Sequence, residues 1–214
     1  HRVDHGVIHH GADGEVIDIT LNTVKIRNWD NTVTSIPAHY LISESVKNWS
    51  PMLERARKIQ RSLLIESSSI RFLTGDDVER LMQVNLLRDY LINKRSELDN
   101  TNRIIGNNEL IPLNGRQLTN IGTFREYVKQ YLLANRHISD TETLMVRQKP
   151  TEGKGVPLEI YCFTKDTSWV HFESVQSDIF DHLLAVLPIF GLRSFQHPSS
   201  ADLACFNNSN ERQQ

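Results

Sequence analysis

Between Gly14 and Ile36 apolar and polar side chains alternate, and a period of two confines that segment to β-strands. Ile17, Ile19 and Leu21 are apolar, while Asp18, Thr20 and Asn22 between them are polar. The phase then reverses, because Val24 and Ile26 are apolar and Lys25 and Arg27 polar. A shift of one residue sends side chains to the opposite face, so a bulge or sharp bend is expected near Asn22–Thr23. Strands bent in this way suit a small closed barrel. Asp30-Asn31 supplies turn chemistry, since both residue types tolerate left-handed backbone. Thr32 to Ile36 reads as the returning strand, which Pro37 ends for want of a ladder donor. From Tyr40 to Trp49 the pattern fits either a helical turn or a strand.

Near Pro51 the character changes. Ile59, Leu63 and Ile65 mark one face of a strand. Thr74-Gly75-Asp76-Asp77 opens a helix, with acidic residues placed against the N-terminal dipole. Val78, Leu81, Met82, Leu86 and Tyr90 extend it as one amphipathic helix to about Lys94. Residues 99–120 are rich in Asn and Gly and read as an insertion with a short hairpin at 113–116. Phe124, Val128, Tyr131 and Leu132 give a second helix. Leu144 to Arg147 and Leu158 to Phe163 are strands, joined through the turn-rich stretch 149–153. Val175, Ile179, Leu183, Val186 and Leu187 line a last helix, which Pro188 and Gly191 end. Arg193 to Phe195 forms a short final strand, and the tail from 197 is polar and loose. With the insertion set aside, the order is that of the split βαβ arrangement.

Few function classes survive the composition. Lys and Arg total 24 against 26 Asp and Glu, a net charge of −2 that excludes a strongly basic nucleic-acid binder by bulk charge. The longest uncharged apolar stretch, residues 183–192, is broken by Pro188 and falls short of the roughly 20 residues a bilayer span needs. Cys162 and Cys205 form no disulfide framework, which fits a reducing compartment. A chain opening on His1 reads as an excised piece. His1, His5, His9 and His10 read as a solvated terminus, and no metal or cofactor site is expected. No phosphate-binding, nucleophile-elbow or zinc-protease motif occurs, so no enzyme activity is expected. His171-Phe172-Glu173 and the Asp178–His182 pair read as surface groups, and Cys162 as core.

Arg55, Arg57, Lys58 and Arg61 form the main charge concentration, a group suited to phosphate or anionic lipid headgroups. The run from Gly11 to Asn31, with Thr34-Ser35-Ile36-Pro37, residues 41–45 and Lys47-Asn48-Trp49-Ser50, resembles the β-domain of small-conductance (MscS-type) mechanosensitive channels, miniconductance branch. Residues 57–62 resemble the junction that follows it, and Phe190-Gly191-Leu192-Arg193 extends the likeness. The chain departs from the family's usual Ile-Pro-Asn at Ala38.

The resemblance implies a mixed β and α+β protein. A small Sm-like β-barrel domain at 11–50 precedes a ferredoxin-like α/β domain at 51–196, with residues 1–10 unassigned and 197–214 a loose tail. It also implies a role: the cytoplasmic vestibule of an inner-membrane channel that opens on tension and passes ions and small solutes during osmotic downshock. Copies would assemble as a ring, typically a heptamer, joined to the membrane through upstream helices and without nucleic acid. Gly14 would allow backbone geometry that a Cβ hinders. Ile17, Ile19 and Leu21 would fill the barrel, Pro37 would stop its strand and Trp49 would pack at a subunit seam. Arg55, Arg57, Lys58 and Arg61 would face the vestibule or lipid. The other reading is a soluble ligand-sensing or RNA-binding module on the same two folds.

Overall fold

In a computed structural model, described for residues 6–8, 12–43, 47–48, 50–106 and 112–197, the chain forms two units. The first comprises His1–Lys58 with Phe163–Ser174, the second Ile59–Cys162 with Val175–Gln214. Among the described residues no helix is long and apolar enough to cross a membrane.

The first unit carries β1 (Gly6–Ile8), β2 (Ala12–Ile19), β3 (Thr23–Asn28), β4 (Val33–Pro37) and β5 (Lys47–Asn48), in the sheet order β4-β3-β2-β1-β5. Two short helices, α1 (Tyr40–Ser43) and α2 (Ser50–Arg55), flank β5. This strand order fits an Sm-like sheet; among the described residues no ladder between β4 and β5 closes it. Because β1 pairs with both β2 and β5, the sheet begins before residue 11, where the sequence placed its start.

The phase reversal at 22–23 is a hairpin, not a bend within one strand. Thr20 and Thr23 close it: the Thr20 N–H donates to the Thr23 carbonyl at 2.8 Å, and the Thr20 hydroxyl accepts from the Thr23 N–H at 3.1 Å. The bulge lies earlier, where the β2–β3 register shifts between Val16 and Asp18. Asn31 takes the left-handed conformation (φ 67°) in the next turn, and the Asp30 carboxylate accepts from both the N–H and hydroxyl of Thr32.

That bulge overturns the expected barrel filling. Ile17 is 40% exposed, Ile19 56% and Leu21 93%. Ile17 is the extra residue at the bulge. Ile19 sits opposite Val24 but beyond the described part of β1, which pairs with Ala12–Gly14, so among the described residues no second strand flanks it there. Leu21 is at the hairpin tip. The core consists of Ala12, Val24, Ile26 and Ile36, with Val16, Tyr40 and Leu41 packed against it. Small residues supply the inward face before the bulge, and apolar counting passes over them.

In the second unit β6 (Arg57–Ile65) neighbours β8 (Val156–Thr164), which pairs antiparallel with β7 (Met145–Gln148). Ser194 bridges antiparallel to Ile65 at the free side of β6, and Phe195 donates to the Leu64 carbonyl at 2.8 Å. This order fits the split βαβ arrangement. After β6 come α3 (Gly75–Met82), α4 (Asn85–Ile105) and α5 (Asn120–Ala134); after β8 comes α6 (Trp169–Val186).

The single helix expected to Lys94 is two helices. Val84 is extended (ψ 114°) and separates them without Gly or Pro. Leu81 of α3 and Leu87, Leu91 and Leu98 of α4 are all buried, and the break lets both apolar faces reach the core. Helix α4 also claims residues 99–105, so the insertion begins later than the composition indicated. A 3₁₀ turn at Pro112–Asn114 stands in place of the hairpin.

Caps and a buried amide fix the helices. Thr74 and Asp77 form a reciprocal capping box on α3. Arg71, 2.6 Å from Asp77, holds that carboxyl well below the usual range. Asn120 is fully buried and bonded through both ends of its amide, accepting from the Arg71 and Ile121 N–H groups and donating to the Ser69 carbonyl.

Gly14 marks the closest approach of β2 to β3. A Cβ there would lie 1.9 Å from the Arg27 carbonyl oxygen and 2.6 Å from the Asn28 Cα. Gly14→Ala is expected to destabilise the chain by about 1–3 kcal/mol, because backbone must move. Gly75→Ala, with nothing within 4 Å, is the matched control and should stay within about 0.5 kcal/mol. Urea unfolding of the two variants side by side checks this.

Candidate functional site

The basic group lies where α2 gives way to β6, and strand alternation divides it. Arg57, Ile59 and Arg61 share one face of β6, while Lys58 and Gln60 share the other. In the first unit the Arg57 guanidinium stands 5.0 Å from the centre of the Trp169 ring and 4.7 Å from that of Phe172. Trp29 meets Trp169 edge to face at 5.8 Å, and its indole N–H donates to Asp13 at 2.9 Å. In the second unit Arg61 lies 4.5 Å from the Phe180 ring centre. Each such contact contributes about 0.5–2 kcal/mol. Arg57, half-buried, and Arg61, exposed, therefore both pack along aromatic rings, and Arg55 and Lys58 are exposed.

A second charged cluster was not anticipated. Glu159, in the middle of β8, is only 2% exposed. Its carboxylate accepts from Gln60 of β6 at 3.1 Å, Arg147 of β7 at 2.8 Å and Lys149 at 3.2 Å. Hydrogen bonds from Gln60, then Arg147, then Lys149, outweigh desolvation and hold its pKa at about 2. Donors from β6, from β7 and from Lys149 just beyond β7 make this a structural lock.

Residues 2–51 match the family model described as the mechanosensitive ion channel β-domain, and they span the whole five-stranded sheet. Two curated relatives, each an uncharacterised MscS family protein from a Helicobacter pylori strain (26695 and J99), are 22% identical over 191 residues. That alignment covers 89% of this chain and 27% of each relative. Among solved structures, MSL1 of Arabidopsis thaliana superposes with a TM-score of 0.60 at 13% identity, covering 92% of this chain and 53% of that one. MscS of Helicobacter pylori in its closed state gives a TM-score of 0.54 at 11% identity, covering 94% and 57%. The chain is similar to MscS-type proteins, most specifically through residues 2–51.

It spans about a quarter of the length of those curated relatives and about half of the two solved chains. Within the MscS-type β-domain, Gly14 and Pro37 sit in β2 and at the end of β4, and Trp49 lies outside the described residues. So do His1, His5, His9, His10 and Cys205. Among the described residues no three His, Cys, Asp or Glu side chains gather as a metal set.

Cys162 is fully buried in β8, and burial pushes its thiol up to about 12. That leaves it protonated and unreactive at neutral pH. His182 is not the simple surface group expected. Its Nε2 lies 2.7 Å from the Tyr127 hydroxyl, and its ring stacks on Tyr131 at 4.4 Å. Neither tyrosine offers an activated nucleophile, because burial raises both phenols.

The Glu159 lock makes a signed prediction. Its folded pKa lies near 2 and its ordinary value is 4.5, so it stabilises the fold above pH 4.5 and loses that effect as pH falls towards 2. Glu159→Gln should be less stable than the parent at pH 6 and should show a shallower loss between pH 4.5 and pH 2. Urea midpoints across that range report both.

Proposed function

We propose that this chain is the cytoplasmic vestibule portion of a mechanosensitive channel in a bacterial inner membrane, which opens on tension and releases ions and small solutes during osmotic downshock. The observation that carries it is the coincidence of the matched β-domain with the whole five-stranded sheet. In this reading copies assemble as a ring, a heptamer by family likeness, and upstream helices carry the pore. The β-domain's own core favours association: among its described residues the buried cluster is Ala12, Val24, Ile26 and Ile36, a small core. Ile17, Ile19, Leu21 and Val33 remain exposed and offer apolar surface to neighbouring copies.

The basic group then acts through its field, not through catalysis. Charges beside a confined, water-filled space change the local concentration of counter-ions and bias which sign of ion approaches a pore. Arg57 and Arg61 serve packing as well, so reversing them would disturb structure and field together. Arg55 and Lys58 separate the two effects.

In patch recordings of the full-length protein under asymmetric salt, Arg55→Glu with Lys58→Glu should move the reversal potential towards cation preference. The shift should shrink with added salt, as the Debye length falls from about 10 Å at 0.1 M to about 3 Å at 1 M. The tension threshold should stay near that of the parent. A threshold shift without a change in reversal potential would assign the group to a mechanical or lipid contact, and absence of tension-gated current in the parent would refute the channel reading itself.

A further inference from the structure

The insertion helps to build a cavity that the channel reading does not use. It has a volume of about 790 Å³ and lies wholly within the second unit, between α3, α4 and the segment 116–118. Its walls are held by specific bonds. The Asn102 side chain donates to the Arg116 carbonyl at 3.0 Å and accepts from the Arg116 N–H at 2.8 Å, tying that segment to α4. The Leu73 N–H donates to the Leu118 carbonyl at 2.9 Å. The volume falls within the range of small-molecule sites, roughly 300–1,000 Å³.

Three kinds of group meet there. Arg95, Arg103 and Arg116 line it, with Glu79 and Asp99. Leu73, Val78, Leu98 and Leu118 give it apolar surface. Arg95, Asp99 and Arg103 are spaced by four along α4 and therefore share a helix face. No ion pair within 4.0 Å joins them, and neither the Arg95 nor the Asp99 side chain hydrogen-bonds to another described residue. Arg103 reaches only Asn100, at 3.4 Å. Arg116 is paired, to Glu97 at 3.2 Å.

We propose that this cavity binds a hydroxylated organic phosphate, of the size of a sugar phosphate or nucleoside monophosphate. Arginine forks match phosphate oxygens bidentately; the Arg95 side chain has no partner among the described residues, and Arg103 has only its long bond to Asn100. Asp99 and Glu79 would repel a bare anion but accept hydrogen bonds from hydroxyl groups. The leucine and valine surface takes a carbon framework that inorganic phosphate lacks. The inference concerns ligand binding by the chain alone and stands or falls separately from the channel reading.

The test is calorimetric titration of the 214-residue chain with AMP, adenosine and inorganic phosphate, with binding confirmed by amide shift changes on α4. AMP should saturate, with adenosine and inorganic phosphate each about tenfold weaker or worse. Arg95→Glu and Arg103→Glu should each weaken AMP by about tenfold or more at unchanged thermal stability. Arg88→Glu, on the same helix outside the cavity, should leave its affinity alone. Asp99→Ala separates recognition from bulk charge: it should weaken AMP and strengthen inorganic phosphate, whereas a general field effect would strengthen both. No saturable AMP binding, equal affinity for inorganic phosphate, an equal loss in Arg88→Glu, or stronger AMP binding by Asp99→Ala would each overturn the proposal.

Discussion

A carboxylate buried in the middle strand of a three-stranded sheet must find its partners on both sides, and Glu159 does. Taking an unpaired carboxylate out of water costs several kcal/mol, so the strand can settle only where donors meet it. Gln60 reaches it from β6 and Arg147 from β7, where Arg147 is the residue directly opposite. Sliding β7 by one position would turn Arg147 to the other face and leave the charge uncompensated. The same register directs Leu158, Ile160 and Cys162 to the opposite face, where all three are fully buried. One ionic contact thus fixes strand order, register and the sidedness of the core.

The β-domain is held differently. It has no buried ionic lock among its described residues, and its cross-strand pairs, Asp18–Lys25 at 3.3 Å and Glu15–Arg27 at 3.9 Å, are solvent-exposed. Pairs of that kind contribute about 0.2–1 kcal/mol. Its order comes from geometry: the Gly14 contact, the Thr20–Thr23 hairpin closure and the left-handed Asn31. A sheet that owes so much to turn chemistry and so little to a core gains from surfaces outside itself, and its exposed isoleucines are where such surfaces would sit.

Local chemistry was legible in the sequence; parity and distant partners were not. Asp30-Asn31, the Thr74 cap, the helix of residues 120–134 and the burial of Cys162 follow from residue types and periods that act over a few positions. The reversal at 22–23 was visible too, but alternation alone does not distinguish a hairpin from a bulge. It also passes over Ala12, a core residue, and Gly14, whose missing Cβ lets β2 lie close to β3. The break at Val84 carries no Gly or Pro. Glu159 reads as an outward residue between Leu158 and Ile160, and so it is. Its burial comes from long side chains of other strands laid across it, which no neighbouring residue announces. The aromatic partners of Arg57 and Arg61 lie more than a hundred positions away, on α6.

That last point changes how charge in such a chain should be counted. A run of four basic residues looks like one surface, but a β-strand deals its side chains alternately to two faces. Arg57 and Arg61 fall on the face of Ile59, which is buried, so their heads can stay near water only by lying along aromatic rings. Stacking does not neutralise a guanidinium, but it fixes the charge in place, and a fixed charge has a direction. The pair thus contributes a static component to the local potential, while Arg55 and Lys58 supply the exposed component that salt screens most readily. Two structural roles are therefore folded into one run, and altering Arg57 or Arg61 also alters the packing of β6 on α6.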